Sequence, residues 1–184
     1  MEVERSMEQY LQLTKEREEA LRKGVGYILY GLGLTGPEYE LTPERMSRAL
    51  RELCSGIGAD LEKEVFGEGV FETEQKEFRM PTTFTNISAR GLCGHHLLPV
   101  IYKAEVTYKP RKKVVGLSRI HRLVRILAAR PVLQEQLTYD IASILRDKLD
   151  CPVSVRLEGL HMCMVARGSR TELNAPVVTE LTLE

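Results

Sequence analysis

Lys103-Ala104-Glu105-Val106-Thr107-Tyr108-Lys109 alternates apolar and polar side chains, and successive side chains on a strand point to opposite faces. The run reads as a half-buried strand with Ala104, Val106 and Tyr108 facing a core. Downstream the apolar period lengthens to that of a helix. Ser118 offers an N-cap for a helix carrying Ile120, Leu123, Val124 and Leu127, stopped near Pro131. A second helix follows through Leu133, Leu137, Ile141, Ile144, Leu145 and Leu149. Val153, Val155 and Leu157 alternate again, and a last strand is expected around Val177 to Leu183. Upstream, residues 76–90 are rich in β-formers (Phe78, Thr82, Thr83, Phe84, Thr85, Ile87), with Pro81 confining one end to an edge. Strands, a helix pair and more strands predict an α+β domain whose antiparallel sheet is covered on one face.

Residues 4–31 set Met7, Leu11, Leu13, Leu21, Val25, Ile28 and Leu29 among charged residues, the pattern of an amphipathic helix, and Gly31-Leu32-Gly33 with Gly36-Pro37 end it. Thr42-Pro43-Glu44 then supplies a cap, a proline at the first helical position and an acid for a helix through Met46, Ala49, Leu50 and Leu53. The expected organisation is a helical region over 1–66 and the α+β domain over 67–184. A chain of 184 residues, 43% apolar and 28% charged, can bury roughly 70% of its unfolded surface without staples. Its 26 basic and 26 acidic residues cancel, which argues against a generic binder of nucleic acid or of anionic membranes. No apolar run approaches the roughly 20 residues of a membrane helix, and the first ten residues lack the order of a signal peptide, so a cytoplasmic address is expected. Four scattered cysteines do not make a disulfide scaffold; in a reducing compartment they point to metal binding or catalysis.

Two clusters carry chemistry. Gly91-Leu92-Cys93-Gly94-His95-His96-Leu97-Leu98-Pro99 holds a thiol and two imidazoles within four positions, and on a turn Cys93 and His96 can converge on one ion while His95 points elsewhere. Taken alone, the stretch also reads as a buried thiol beside two solvated histidines. His161-Met162-Cys163-Met164-Val165-Ala166-Arg167-Gly168 follows the alternating run, and strand register would put His161, Cys163 and Arg167 on one face. Together the clusters predict a shared metal site of Cys93, His96 and Cys163. Three protein ligands leave a position for water, whose pKa zinc lowers to about 7, and His95 and His161 remain for proton transfer. A closed four-ligand site including His161 is the structural alternative. Between the clusters, Lys103, Lys109, Arg111, Lys112, Lys113, Arg119, Arg122, Arg125 and Arg130 face Glu105 as the lone acid. This block is either a solvated face or, where Ser118, Arg119 and Arg122 open a helix, a site for a nucleotide's phosphate chain. Glu135, early in the next helix, can accept hydrogen bonds from a base or simply complement the helix dipole.

The ordered set CGHHLLP, GLSRIHR, QEQLT and HMCMVARG, over about residues 41–168, resembles GTP cyclohydrolase I, the zinc enzyme that opens pterin biosynthesis on the way to tetrahydrofolate. The resemblance implies the tunnelling fold, in which sheets of several subunits close into a barrel, with active sites between subunits of a homo-oligomer, a decamer. It implies zinc on Cys93, His96 and Cys163, and His95 and His161 as acid/base groups. Glu135, with Gln134 nearby, would hold the guanine edge. Ser118, with a catalytic place beside the ribose, Arg119, Arg122 and Arg167 would contact ribose and triphosphate, and Arg45 and Arg48 match further phosphate-reaching positions. The implied reaction is hydration at carbon 8 of GTP, ring opening, loss of formate and rearrangement to 7,8-dihydroneopterin triphosphate.

The chain departs from the family pattern at Gly94, where glutamate is usual, at Arg119, where lysine is usual, and at Gln136, where arginine is usual. After Gly168 the match fades into Asn174, Pro176 and Val178. A related enzyme with another nucleotide or a ring-opened product is one alternative, and a noncatalytic zinc-stabilised nucleotide binder is another. The presence of both His95 and His161 argues against the latter.

Overall fold

The computed structural model describes the backbone of residues 2–74 and 80–184, and within them the side chains from residue 14 onward. Met7, Leu11, Leu13 and Phe78, used in the sequence reading, lie outside the described side chains. The chain divides into two units, Met1–Glu52 and Leu53–Glu184.

The first unit holds helix α1 (Glu2–Gly31) and most of helix α2 (Thr42–Leu53). Gly33, at φ +72°, ends α1: Leu34 N–H donates to Leu29 O and Gly33 N–H to Tyr30 O, each at 3.0 Å. That paired closure needs a left-handed residue, which glycine supplies without steric cost. Ion pairs from Arg22 to Glu44 (3.1 Å) and from Arg51 to Glu18 (2.5 Å) join the helices, and their exposure keeps each contribution small.

In chain order the second unit contains β1 (Val70–Glu72), β2 (Thr82–Cys93), β3 (Pro99–Tyr108), β4 (Lys113–Val115), helix α3 (Leu117–Ala128), β5 (Pro131–Val132), helix α4 (Gln134–Leu149), β6 (Val153–His161), the single turn α5 (Met162–Val165) and β7 (Val177–Leu183). Five strands form one sheet in the order β5-β2-β3-β6-β7. Every pairing in it is antiparallel except the short edge β5, which runs parallel to β2 through Leu92↔Pro131 and Cys93↔Val132. β1 and β4 form a separate antiparallel ribbon that the sequence did not suggest.

One face of the sheet is buried under α3 and α4. Val100, Tyr102, Ala104, Val106 and Tyr108 point into it from β3, and Val153, Val155 and Leu157 from β6. The helices answer with Ile120, Leu123, Val124 and Leu127, and with Leu137, Ile141, Leu145 and Leu149, at helical spacing. Full burial of each large aliphatic side chain is worth about 1.5–3 kcal/mol, so this layer dominates the unit's stability.

β2 contains the irregularity that places the site. Its register shifts between Phe84 and Ile87, and Asn86 there takes φ +55°. The extra residue flips the parity of inward positions: Phe84 points to the core before it, and Ile87, Ala89, Gly91 and Cys93 after it. Without this bulge Cys93 would face the opposite side of the sheet.

Two local expectations are corrected. Ser118 does not cap α3. The cap position is Gly116, whose N–H is fixed to Gly69 O at 2.9 Å at the end of the β1–β4 ribbon and whose carbonyl accepts from Arg119 N–H, so Ser118 is already inside the helix and exposed. The strand through His161 likewise stops there: Cys163 lies on α5, so His161, Cys163 and Arg167 do not share a strand face. Ala166 N–H donates back to Met162 O, and Gly168 at φ +63° follows the turn.

Candidate active site

Cys93 ends β2, and the next residues turn tightly into β3. Cys93 N–H donates to Leu98 O and Leu97 N–H to Cys93 O, both at 2.9 Å, with Leu97 at φ +52°. This closed turn explains why a Cys-x-x-His spacing converges. Cys93 Sγ and His96 Nδ1 stand 3.7 Å apart, and α5 brings in Cys163, so that one ligand atom from each of Cys93, His96 and Cys163 lies within 4.8 Å of the others. Both cysteines are buried and His96 is exposed.

Two thiolate sulfurs and an imidazole nitrogen are the donor set zinc favours. Two ligands about 2.3 Å from a tetrahedral ion stand about 3.8 Å apart, so the group fits a metal ion with little movement. Burial, with Cys93 beside it, pushes the Cys163 thiol up, while Arg167 pulls it down.

His95, on the same turn, is exposed, its ring edge-on to His96 at 6.1 Å. His161 pairs with Val100 at the end of β6 and is partly buried. Its Nε2 lies 2.8 Å from Gln134 Oε1. Gln134 is itself buried, and its amide nitrogen donates to Leu157 O (3.0 Å) and Val177 O (2.9 Å), so its oxygen must be the atom facing the imidazole. Nε2 of His161 is therefore the donor, and Nδ1 remains the acceptor. Burial lowers the pKa of His161 and the Glu135 carboxylate pulls it back up.

This contact exists because residue 159 has no side chain. A Cβ at Gly159 would stand 2.1 Å from Gln134 Oε1 and 3.0 Å from His161 Nε2. Gly159→Ala is expected to break the pair and lower turnover while the protein still binds metal, a split that metal analysis alongside steady-state kinetics would read. At Gly94, by contrast, a Cβ would meet Val132 C at an ordinary 3.4 Å, so packing does not dictate the glycine there.

β5 carries the chain past Cys93, where Gly94 N–H donates to Val132 O at 3.3 Å, straight into the first turn of α4. Gln134 and Glu135 thus arrive beside the metal turn, Gln134 facing inward and Glu135 exposed. Arg167, just beyond α5, is exposed and near Cys163. Ser118, Arg119 and Arg122 lie elsewhere. They begin α3, whose other end abuts β2 near Cys93: a Cβ on Gly91 would strike Ala128 O at 2.0 Å. At the start of α3, Arg122 donates to Glu64 O (2.9 Å), Arg119 lies against Gly69, and His121 packs edge-on to Phe84 at 5.8 Å. Nine residues of strand, about 30 Å, separate Phe84 from Cys93. Arg45 and Arg48 lie on α2 in the first unit, both exposed.

Sequence reasoning missed the inward role of Gln134, the need for glycine at 159, and Tyr102. The last is a buried tyrosine in an alternating strand, whose hydroxyl should have raised the question of a partner.

An α+β protein with a Cys-His-Cys group that could hold a metal ion, and a second imidazole and a carboxylate close by, has the donor set expected of a metal-dependent enzyme. Residues 25–183 match the family model for GTP cyclohydrolase I. The chain is 40% identical over 153 residues to a GTP cyclohydrolase 1 of Pyrobaculum neutrophilum, covering 82% of this chain and 80% of that one. A Pseudomonas aeruginosa relative, GTP cyclohydrolase 1 1, is 38% identical over 167 residues, covering 89% and 87%. The solved structure of the archaeosine synthase QueF-Like in the apo form aligns over 56% of this chain and 90% of its own, at 14% identity and a TM-score of 0.42. The chain belongs to the GTP cyclohydrolase I family, and with it to the tunnelling fold. Among the described residues no helix is long and apolar enough to cross a membrane.

Proposed function

We propose that the protein is a zinc-dependent GTP cyclohydrolase I that hydrolyses the imidazole ring of GTP, releases formate and rearranges the remainder to 7,8-dihydroneopterin triphosphate. The observation that carries this reading is the convergence of Cys93, His96 and Cys163 beside His161 and Glu135. Cys93, His96 and Cys163 would hold the zinc ion, which when bound would supply Lewis acidity and a lowered pKa for a bound water. The remaining chemistry belongs to the chain's own side chains. His161, kept neutral by burial and donating through Nε2 to Gln134, offers Nδ1 to accept a proton as the ring opens. His95 is exposed at the turn and can exchange protons with solvent. Glu135 accepts from the guanine edge, with Gln134 holding His161 rather than the base. His161 lies outside the group whose ligand atoms fall within 4.8 Å of one another, which favours three metal ligands over a closed four-ligand site.

Ser118, Arg119, Arg122 and Arg167 bind ribose and triphosphate in this reading, with Arg45 and Arg48 as further phosphate contacts. Because the start of α3 lies at the opposite end of the sheet from the metal ligands, a partner copy supplies Ser118, Arg119 and Arg122 to each site. That arrangement agrees with sheets closing into a barrel in a homo-oligomer, the decamer implied by the resemblance. Residues 67–184 would form the catalytic domain and 1–66 a helical region, in a cytoplasmic enzyme. Arg122→Ala is expected to weaken GTP binding roughly tenfold or more, the cost of one charge-assisted hydrogen bond, and to leave guanosine binding nearly unchanged in parallel titrations.

The function is tested by supplying GTP labelled at carbon 8 to the zinc-loaded protein. Equal yields of labelled formate and of a pterin that fluoresces after oxidation are expected. Formate without pterin would favour the ring-opening alternative, and neither product would favour a noncatalytic binder.

A further inference from the structure

Tyr102 sits at the centre of β3 with its side chain fully buried on the helix-covered face. Its cross-strand neighbours are Ala89 and Gly159, small residues that leave space for the ring. The ring stands edge-on to His161, centroids 6.2 Å apart, and belongs to the same buried cluster as Cys93 and Cys163. Its hydroxyl has no hydrogen-bond partner, and among the described residues it is the one buried side-chain polar atom in that condition. An unpaired buried hydroxyl costs free energy and calls for an explanation such as a missing ligand. Burial pushes the phenol's pKa far up, with Cys93, Cys163 and Glu135 adding to the shift, so the hydroxyl stays a protonated donor.

We propose that Tyr102 is a positioning residue of the metal centre, whose hydroxyl donates a hydrogen bond to a thiolate sulfur of the Cys93 and Cys163 pair once a metal ion has taken the place of the thiol protons. The proposal rests on the metal-centre reading given above. A thiol sulfur is a weak acceptor. As metal-bound thiolates the two sulfurs become anionic acceptors in a dry pocket, and the otherwise idle phenol finds its partner. Outer contacts of this kind orient ligands and reduce the charge a sulfur donates to the metal. Sequence alternation alone asks only for an apolar side chain at this position, so the hydroxyl is the feature that packing does not explain.

The test compares wild type with Tyr102→Phe, which removes one oxygen, and with Tyr108→Phe at the far end of the same strand as a packing control. Each protein is made metal-free and titrated with cobalt(II), reading the thiolate-to-cobalt charge-transfer band, and zinc affinity is measured by competition with a chelator. Tyr102→Phe is expected to bind zinc about tenfold or more weakly and to move the band to lower energy, while the metal-free variant melts no lower than wild type. Tyr108→Phe is expected to change neither affinity nor band. Wild-type affinity and an unshifted band in Tyr102→Phe would overturn the proposal. Absence of the band in wild type would overturn the metal-centre reading itself and the proposal with it.

Discussion

Cys163→Ser is expected to lose bound metal and turnover together, the largest effect of any single substitution in the second unit. Serine keeps the shape of the side chain but not a thiolate, and a zinc site left with one sulfur and one imidazole has lost half its soft charge. The loss in metal affinity should exceed the roughly 10- to 100-fold that removal of an outer contact costs. Cys93→Ser should behave alike, since its sulfur lies within the same 4.8 Å group. Cys54→Ser and Cys151→Ser are expected to keep the metal, because neither thiol belongs to that group. Metal content measured on protein purified with reductant checks this; in air without reductant, oxidation of the neighbouring Cys93 and Cys163 thiols to a disulfide by dioxygen would mimic the loss. Full metal occupancy in Cys163→Ser would remove that ligand.

His161→Ala is expected to show the opposite pattern, metal and GTP retained and turnover lowered by about 10²- to 10⁴-fold, the usual cost of removing a general acid or base. The imidazole is hydrogen-bonded to Gln134 and stands outside the three-residue ligand group, so its removal leaves the donors untouched. His95→Ala should retain metal in the same way. Because ring opening and formate release need separate proton transfers, one of the two variants is expected to accumulate a ring-opened nucleotide, which chromatography of the reaction mixture would reveal. Loss of metal in His161→Ala would instead identify a closed four-ligand site and favour a noncatalytic protein.

Much of this arrangement was legible in the sequence. The alternation of β3 and β6 and the helical period of α3 and α4 are direct consequences of one buried face, and the two His/Cys clusters lie at the ends of strands where a turn can gather them. What stayed hidden depends on local geometry that no periodicity encodes. The shift at Asn86 sets which way Cys93 points, yet asparagine between threonine and isoleucine reads as ordinary strand. The break between His161 and Cys163 replaces a strand face by one helical turn, which still sets the Cys163 sulfur in one group with Cys93 and His96. Ser118 looked like a cap because serine commonly is one, but the Gly116 contact to Gly69 belongs to a ribbon formed by segments more than 40 residues apart in sequence. The resemblance set Gln134 beside the guanine edge at a helix start. Its burial depends on Gly159 and on β7, whose Val177 carbonyl it holds.

The most direct test of a single metal on Cys93, His96 and Cys163 serving GTP turnover is stepwise addition of zinc to metal-free protein in saturating GTP, with the oxidised pterin followed by fluorescence. The rate should rise in proportion to zinc and level off at one equivalent per chain, and Cys163→Ser should stay at the baseline throughout. Pterin formation at full rate before any zinc is added, or undiminished in Cys163→Ser, would contradict it.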